Sequence, residues 1–361
     1  MELGIIGLPA SGKTTIFNAL TKANRPTTPA LSGKLELHNA IVDVPDPRVD
    51  RLSALYKPRK TTYAKVNYID IAGLDREMGK SGLSGQLRNR IAPMDAFVHV
   101  VRAFEDDQLP HPAGSVDPQR DLEALDTEFL LADLITVENR LQRIAEGLQK
   151  GARSEERQLL QADQELFTQL HAALEGGAHL RDVELEAESV AHLRGYGLLT
   201  LKPTLVVLNT GETPRSPAEL GIHYDHRHSI LISLQGKLEM EIAQLPEDEA
   251  ALFMEEFGLE EPGLNRVIRA SYELLGLRSF FTVGEDEVRA WNIRAGDTAL
   301  DAAATVHTDL ARGFIRAEVI NFPELIAAGS MAAGRKAGHL RLEGKEYRVQ
   351  DGDIVHIRFS I

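Results

Sequence analysis

The chain has 361 residues, 40 Lys+Arg against 54 Asp+Glu and no cysteine; at roughly 150 residues per domain this predicts two or three domains. The net charge of −14 argues against broad, non-specific nucleic-acid binding, so no DNA partner is expected, and the lack of cysteine excludes disulfides, thiolate metal sites and thiol switches. No apolar run approaches the ~20 residues of a membrane span, and the first strand begins too close to Met1 for a signal peptide, so a cytoplasmic protein with no membrane partner is expected.

Residues Met1 to about Glu105 alternate strand and helix signals, the pattern of an α/β sheet. The first apolar run, Leu3 to Ile6, leads into Gly7-Leu8-Pro9-Ala10-Ser11-Gly12-Lys13-Thr14 and then a helical stretch from Thr15 to Leu20. Strand, glycine turn with Lys-Thr, then helix is the Walker A arrangement. Gly7 and Gly12 let successive backbone N–H groups turn inward around phosphate oxygens. Lys13 is placed to meet the β- and γ-phosphates, and Thr14 to give its hydroxyl to Mg²⁺. A plain glycine turn with an exposed lysine is the alternative, and the flanking strand and helix argue against it.

A Pro/Thr-rich loop follows from Ala23 to Ser32, then an extended stretch Leu35 to Val44 ending at Pro45-Asp46-Pro47-Arg48. Ala64 to Ile69 reads as a strand running into Asp70-Ile71-Ala72-Gly73-Leu74. Asp70 is positioned as a Walker B aspartate for Mg²⁺, and the Gly73 N–H as a γ-phosphate sensor. Ras-like enzymes carry a water-orienting glutamine at the next position, where this chain has Leu74, whose side chain neither donates nor accepts a hydrogen bond. Another group has to position water, or hydrolysis is slow. Gly79 to Gly85 is a glycine- and serine-rich loop, and Ala96 to Phe104 is near-continuously apolar, as a buried parallel strand is.

From about Asp121 to Gly177 the sequence is rich in Leu, Glu, Gln and Arg and lacks proline. Leu130, Leu134, Val137, Leu141, Ile144 and Leu148 lie on one helical seam, and Leu159, Leu166, Leu170 and Ala173 on a second. An antiparallel helical hairpin closed at Gly176-Gly177 is predicted. The α/β pattern resumes with Lys202 to Leu208, ending in Asn209-Thr210-Gly211-Glu212, then a strand Ile230 to Leu234 and helical stretches Lys237 to Phe257 and Leu264 to Leu275. A GTPase carries Asn-Lys-x-Asp at the first of these turns, with the aspartate accepting hydrogens from guanine. Here Glu212 stands one methylene further out and Thr210 replaces the lysine, which weakens the guanine case without proving adenine. From Phe280 short strand signals dominate, including Tyr347 to Val349 and Ile354 to Phe359 joined by Gln350-Asp351-Gly352-Asp353.

Together the motifs resemble the YchF/Obg-like ATPase family of P-loop proteins over most of the chain. Besides Asn209 to Glu212 and Leu74, the similar segments are Asp95 to Arg102, Leu199 to Pro203, Glu287 to Trp291, Gly313 to Ile320, Arg341 to Lys345 and Asp351 to Asp353. The resemblance implies an α/β fold: a Ras-like P-loop NTPase domain (1–120 and 201–278), an inserted coiled-coil-like helical arm (121–200) and a C-terminal TGS-type β-grasp domain (279–361). It implies slow, Mg²⁺-dependent hydrolysis of ATP in preference to GTP and association with the ribosome, at the large subunit or ribosomal RNA. An Obg-type GTPase and a nucleotide-gated ribosome- or RNA-binding protein with little hydrolysis are the rivals. The family's candidate catalytic histidine corresponds to His111 in Gln108-Leu109-Pro110-His111-Pro112-Ala113-Gly114, where a mobile loop could carry it to water. The candidate nucleotide contacts are Gly7, Pro9, Ala10, Ser11, Gly12, Lys13, Thr14, Thr15, Gly73, Asn209, Thr210, Glu212, Ser233 and Leu234; the metal ligands are Thr14 and Asp70; the catalytic groups are His111 and Lys13. The chain departs from the family at Ser32-Gly33-Lys34-Leu35-Glu36-Leu37, which lacks a clear switch threonine and leaves Thr27, Thr28 and Ser32 as candidates. It also departs at Ala10-Ser11, usually Asn-Val, and at Asp75-Arg76-Glu77-Met78. These departures suggest a divergent member.

Overall fold

The computed structural model describes residues 1–22, 36–72, 83–150, 153–256, 259 and 261–360. The chain divides into two compact units, Met1–Ala40 with Asn67–Val267, and Ile41–Val66 with Ile268–Ile361.

The first unit is built on a six-stranded sheet of order β2-β4-β1-β5-β6-β7, formed by β1 (Glu2–Ile6), β2 (Glu36–Asp43), β4 (Lys65–Ala72), β5 (Ala96–Arg102), β6 (Thr204–Asn209) and β7 (Ser229–Leu234). β4, β1, β5, β6 and β7 run parallel. Every residue of β5 and β6 is buried, which is why their sequences read as unbroken apolar runs rather than alternating ones. Parallel strands end on one edge, and ligands of open α/β sheets bind in the crevice at that edge. The register sets Ile5 beside Asp70, and Arg102 beside Asn209 beside Leu234, so the sequence motifs line up along it.

The arm consists of helices Pro118–Gln149 and Ser154–Glu175. Asp117 caps the first, its carboxylate accepting from Arg120 N at 3.1 Å, with Pro118 in the opening turn. Arg140 pairs with Asp163, and His171 Nε2 lies 3.6 Å from Glu138 Oε1, so the two helices run antiparallel. Val137, Ile144, Phe167, Leu170 and Leu174 close the seam between them, joined at the base by Leu180, Leu193 and Leu198. One buried acid ties the arm's first helix to the chain's return into the sheet. Asp133 Oδ1 accepts from Leu199 N at 2.8 Å, and Oδ2 accepts from Thr200 N and Thr200 Oγ1, each at 2.7 Å. Burial pushes this carboxyl up to about 6 despite the three donors.

The second unit holds another six-stranded sheet, of order β11-β10-β12-β8-β9-β3, from β3 (Lys60–Thr62), β8 (Leu277–Val283), β9 (Glu287–Arg294), β10 (Phe314–Asn321), β11 (Arg341–Glu343) and β12 (Asp353–Phe359). Helix Ala299–Val306, opened by a capping box between Thr298 and Asp301, packs with Phe280, Ile293, Ala317, Val319 and Val355 in its core. This is the TGS-type β-grasp region.

Two details differ from the sequence reading. Residues 41–66, placed in the nucleotide domain by the sequence boundaries, group with the C-terminal unit. There β3 pairs with β9, and Arg48 spans from Asp46 (Nε to Oδ1, 2.9 Å) to Asp351 (Nη1 to Oδ2, 2.7 Å). Tyr347 to Val349 is not a hairpin strand: Arg348 forms only an isolated bridge to Thr298, and β12 pairs with β10 instead. The backbone there is engaged at the helix start, with Tyr347 O accepting from Ala299 N at 2.8 Å.

Candidate nucleotide-binding site

The loop after β1 curls through backbone conformations that side chains resist. Gly7 has φ 149° and Gly12 φ 95°. A Cβ on Gly7 would lie 2.2 Å from Val100 O, and one on Gly12 would lie 2.3 Å from Asn209 Nδ2. Only glycine fits either position. Ala10 adopts φ 59°, a left-handed conformation that alanine disfavours. Helix Lys13–Thr21 begins directly behind the loop and has no side-chain cap, so its first N–H groups are not capped by a side chain and can serve an anion.

Lys13 is buried, and its Nζ donates to Leu8 O at 2.8 Å. The ammonium therefore lies folded over its own loop. The Ser11 hydroxyl is buried with no hydrogen-bond partner among the described residues. Pro9, Ala10, Thr14 and Thr15 are half-buried. Thr14 Oγ1 lies 3.5 Å from Asp70 Oδ2, and Asp70 is buried within β4 rather than beyond its end. A hydroxyl and a carboxylate side by side are hard oxygen donors, the set that Mg²⁺ takes while keeping most of its waters. The cradle and this donor pair fit a phosphate chain with its Mg²⁺.

Behind the loop stands Asn209. Its Nδ2 donates to Ser11 O, and its Oδ1 accepts from Gly236 N, both at 3.1 Å. The carboxamide thus braces the phosphate loop against the start of helix Gly236–Gln244, and both of its ends are occupied. Thr210 is buried and its N donates to Leu234 O at 3.0 Å. Glu212 is exposed and stands 3.6 Å from Lys237 Nζ, its backbone carbonyl accepting from Gln235 Nε2. Ser233 is half-buried and Leu234 buried at the end of β7. Sequence turns from β6 and β7 therefore meet on one side of the loop.

His111 is not on the surface. Its side chain is 4% exposed, with Nε2 2.8 Å from Asp121 Oδ2, while Nδ1 accepts from Ala113 N at 3.2 Å. Leu8, Pro9 and Ser11 of the phosphate loop share a small recess with His99, His111 and Asp121. Arg102, buried at the end of β5, shapes the connecting loop: Nε donates to Phe104 O at 3.0 Å and Nη2 to Leu109 O at 2.7 Å. Arg120 holds Asp121 from the other side through Oδ1, at 2.8 and 3.0 Å. His99, below the loop, is fully buried; burial first, then repulsion from Lys13 and Arg181, brings it down to about 3, so its imidazole is neutral. Sequence reasoning did not single out His99, Arg102 or Asp121. Their signal is weak but present: two of them are polar residues inside an otherwise apolar strand. Gly73, Leu74, Thr27, Thr28, Ser32 and the 75–78 segment lie outside the described residues.

A parallel sheet with a glycine-lined phosphate cradle, a buried loop lysine and a Thr/Asp oxygen pair defines a P-loop nucleotide-binding protein. Similarity narrows this further. A family model described as 50S ribosome-binding GTPase matches residues 2–140, and the YchF-GTPase C-terminal model, described as a protein of unknown function, matches residues 277–360. The chain is 39% identical over 369 residues to the ribosome-binding ATPase YchF of Bacillus subtilis, covering 100% of both chains. It is 40% identical over 371 residues to that of Escherichia coli O157:H7, covering 100% of this chain and 99% of the relative. The solved structure of the Schizosaccharomyces pombe YchF GTPase superposes with a TM-score of 0.85 at 31% identity, over 99% of this chain and 97% of that one. The chain belongs to the YchF family. The local departures in the phosphate loop and the 32–37 segment do not extend to chain-wide divergence, because identity holds over the full length.

Proposed function

We propose that this chain is a Mg²⁺-dependent P-loop nucleoside-triphosphatase that prefers ATP to GTP, hydrolyses it slowly and acts as a ribosome-associated switch in the cytoplasm. The observation that carries the reading is the phosphate cradle: two glycines where no side chain fits, and Lys13 folded over the loop with its Nζ on the Leu8 carbonyl. A carbonyl partner is readily exchanged for phosphate oxygens, which are charged acceptors. Thr14 and Asp70 would hold Mg²⁺, which when bound neutralises charge on the β- and γ-phosphates. Gly73 offers its N–H to the γ-phosphate. Pro9 to Ser11 and Thr15 border the phosphates, while Thr210, Glu212, Ser233 and Leu234 border the base, with Glu212 favouring adenine.

Leu74 leaves the water-positioning role open, and His111 is the group to fill it. Both of its ring nitrogens face protein atoms in the present conformation, so its loop has to turn toward the phosphate loop, a short distance given the shared recess. Asp121 is the carboxylate beside the ring until then. Association with the ribosome, through the large subunit or its RNA, is carried over from the ribosome-binding relatives and the first family model. No helix of the described residues is long and apolar enough to cross a membrane.

ATP and GTP turnover measured side by side, with and without Mg²⁺, tests the reading, together with co-sedimentation with ribosomes. Faster, Mg²⁺-dependent ATP turnover is expected. GTP turnover equal to or faster than ATP turnover would move the base assignment to guanine. Tight ATP binding without turnover would leave a nucleotide-gated binding protein.

A further inference from the structure

The base of the helical arm carries a second cluster of metal-binding side chains, away from the phosphate loop motifs. Asp126 lies on the arm's first helix, His179 on the segment after its second helix, and His226 on the loop leading to β7. One ligand atom from each lies within 4.8 Å of the others. The imidazoles of His179 and His226 stack in parallel, 4.3 Å between centroids and 3° apart; because imidazole lone pairs lie in the ring plane, the His179 ring, whose Nδ1 has no hydrogen-bond partner among the described residues, has to turn out of the stack for both to meet on one ion.

The hydrogen bonding around the three is that of ligands rather than of a satisfied core. His226 Nδ1 lies 2.7 Å from Asp182 Oδ2, and Asp182 Oδ1 accepts from Arg227 N at 2.7 Å. An ionised carboxylate only accepts, so the His226 proton sits on Nδ1 and the Nε2 lone pair is left to coordinate. A carboxylate behind a histidine in this way is the arrangement that orients metal-binding imidazoles. His179 is 3% exposed, and its Nδ1 is buried with no hydrogen-bond partner among the described residues. Its Nε2 stands 3.9 Å from Asp126 Oδ2. That gap is too long for a hydrogen bond and about half an ångström wider than the separation of two tetrahedral zinc ligands at ~2 Å each, so the two side chains close slightly on the ion. Tyr224 touches the other oxygen of Asp126, its hydroxyl donating to Oδ1 at 3.4 Å, which leaves Oδ2 free. The opposing charge at the cluster is Arg181, whose guanidinium donates to Tyr224 Oη, Thr204 Oγ1 and Lys202 O, against the two carboxylates of Asp126 and Asp182.

We propose that Asp126, His179 and His226 bind one divalent transition-metal ion of the zinc type, with water completing its coordination, as a clasp between the helical arm and the loop leading into β7. Two imidazoles and a carboxylate suit Zn²⁺, Co²⁺ or Ni²⁺ and disfavour Mg²⁺, which takes oxygen ligands. This ion is therefore chemically distinct from the one expected at Thr14 and Asp70.

The test uses the full chain, stripped with a chelator and equilibrated with excess Mg²⁺ so that the phosphate site is not read. Titration with Co²⁺ should give visible d–d absorption saturating at one ion per chain, displaced stoichiometrically by Zn²⁺. Zn²⁺ should also raise the melting temperature of the wild type. His226→Ala should abolish the spectrum and the thermal shift, while Asp182→Asn, which keeps all three ligands, should weaken affinity by about 10–100-fold. His192→Ala, on the arm but outside the cluster, should change nothing. Should His179→Ala fail to fold, the half-exposed His226 and Asp182 positions still decide the matter. Absence of stoichiometric Co²⁺ binding by the wild type, or binding unchanged in His226→Ala, would overturn the proposal and leave a stacked histidine pair in a packed joint.

Discussion

The phosphate loop and the histidine loop beside it lie at the same sheet edge, yet they are specified in opposite ways. The phosphate loop is written in eight consecutive residues: its glycines set the backbone, and the strand and helix on either side fix its ends. The histidine loop depends on distant groups. Arg102 pins its carbonyls at Phe104 and Leu109, and Asp121, from the arm's first helix, stands against the His111 ring with Oδ2 2.8 Å from Nε2. The lesson is that a local motif binds, whereas the group expected to act on water is placed by tertiary structure and can be displaced by it.

The largest expected effect strikes the local side of that contrast. Lys13→Ala removes the buried ammonium, the side-chain cation expected at the transferring phosphates. Turnover should fall by ~10³-fold, or about 4 kcal/mol, with ATP affinity reduced in the same preparation by equilibrium titration. An unaffected variant would remove the loop from the mechanism.

Next comes the buried anchor between arm and sheet. Asp133→Ala strands two buried backbone N–H groups and should lower unfolding free energy by about 2–5 kcal/mol, read by denaturant titration. The same residue sets a pH dependence. Its folded pKa, about 6, lies above the unfolded carboxyl value near 3.9, so the native state binds the proton first as pH falls. The resulting stabilisation is complete below about pH 4 and is lost as pH rises through about 6. Asp133→Asn should flatten that part of the stability profile, and an unchanged slope would assign the proton to another group.

His111→Ala tests the tertiary side. A fall in turnover of ~10²-fold with ATP affinity unchanged is expected for a water-positioning group. Asp121→Asn should change turnover by less and leave ATP affinity intact, since it positions the ring without touching substrate. Turnover equal to wild type in His111→Ala would remove the histidine from the reaction.

The smallest effect sharpens the reading of the loop itself. Ala10 sits at φ 59°, where asparagine is tolerated better than alanine. Ala10→Asn should stabilise the protein by about 0.5–1 kcal/mol, visible as a raised melting temperature with nucleotide affinity retained.

Much of this architecture is legible in the sequence, and the misses have physical causes. β5 and β6 are recognisable because both faces are buried, and the arm because two leucine seams repeat at helical spacing. β3 is not, since Lys60-Thr61-Thr62 has no pattern of its own and exists through pairing with β9. Tyr347 to Val349 alternates like a strand, but its backbone bonds the start of helix Ala299–Val306. In the site, Gly7 to Thr14 and Asp70 follow from motif chemistry. Asn209 is recognisable as a motif residue, yet its work as a brace emerges only when Ser11 and Gly236 meet it. The burial of His111 depends on Asp121 and Arg102, and no spacing rule joins those three.

The most direct test of the central claim is calorimetric titration of ATP and GTP into the full chain with Mg²⁺, alongside Gly12→Ala. That substitution forces a Cβ to within 2.3 Å of Asn209 Nδ2 at a backbone angle suited to glycine. The expected result is that ATP binds more tightly than GTP and that Gly12→Ala abolishes binding of both. GTP binding equal to or tighter than ATP binding, or a Gly12→Ala chain that still binds ATP with wild-type affinity, would contradict it.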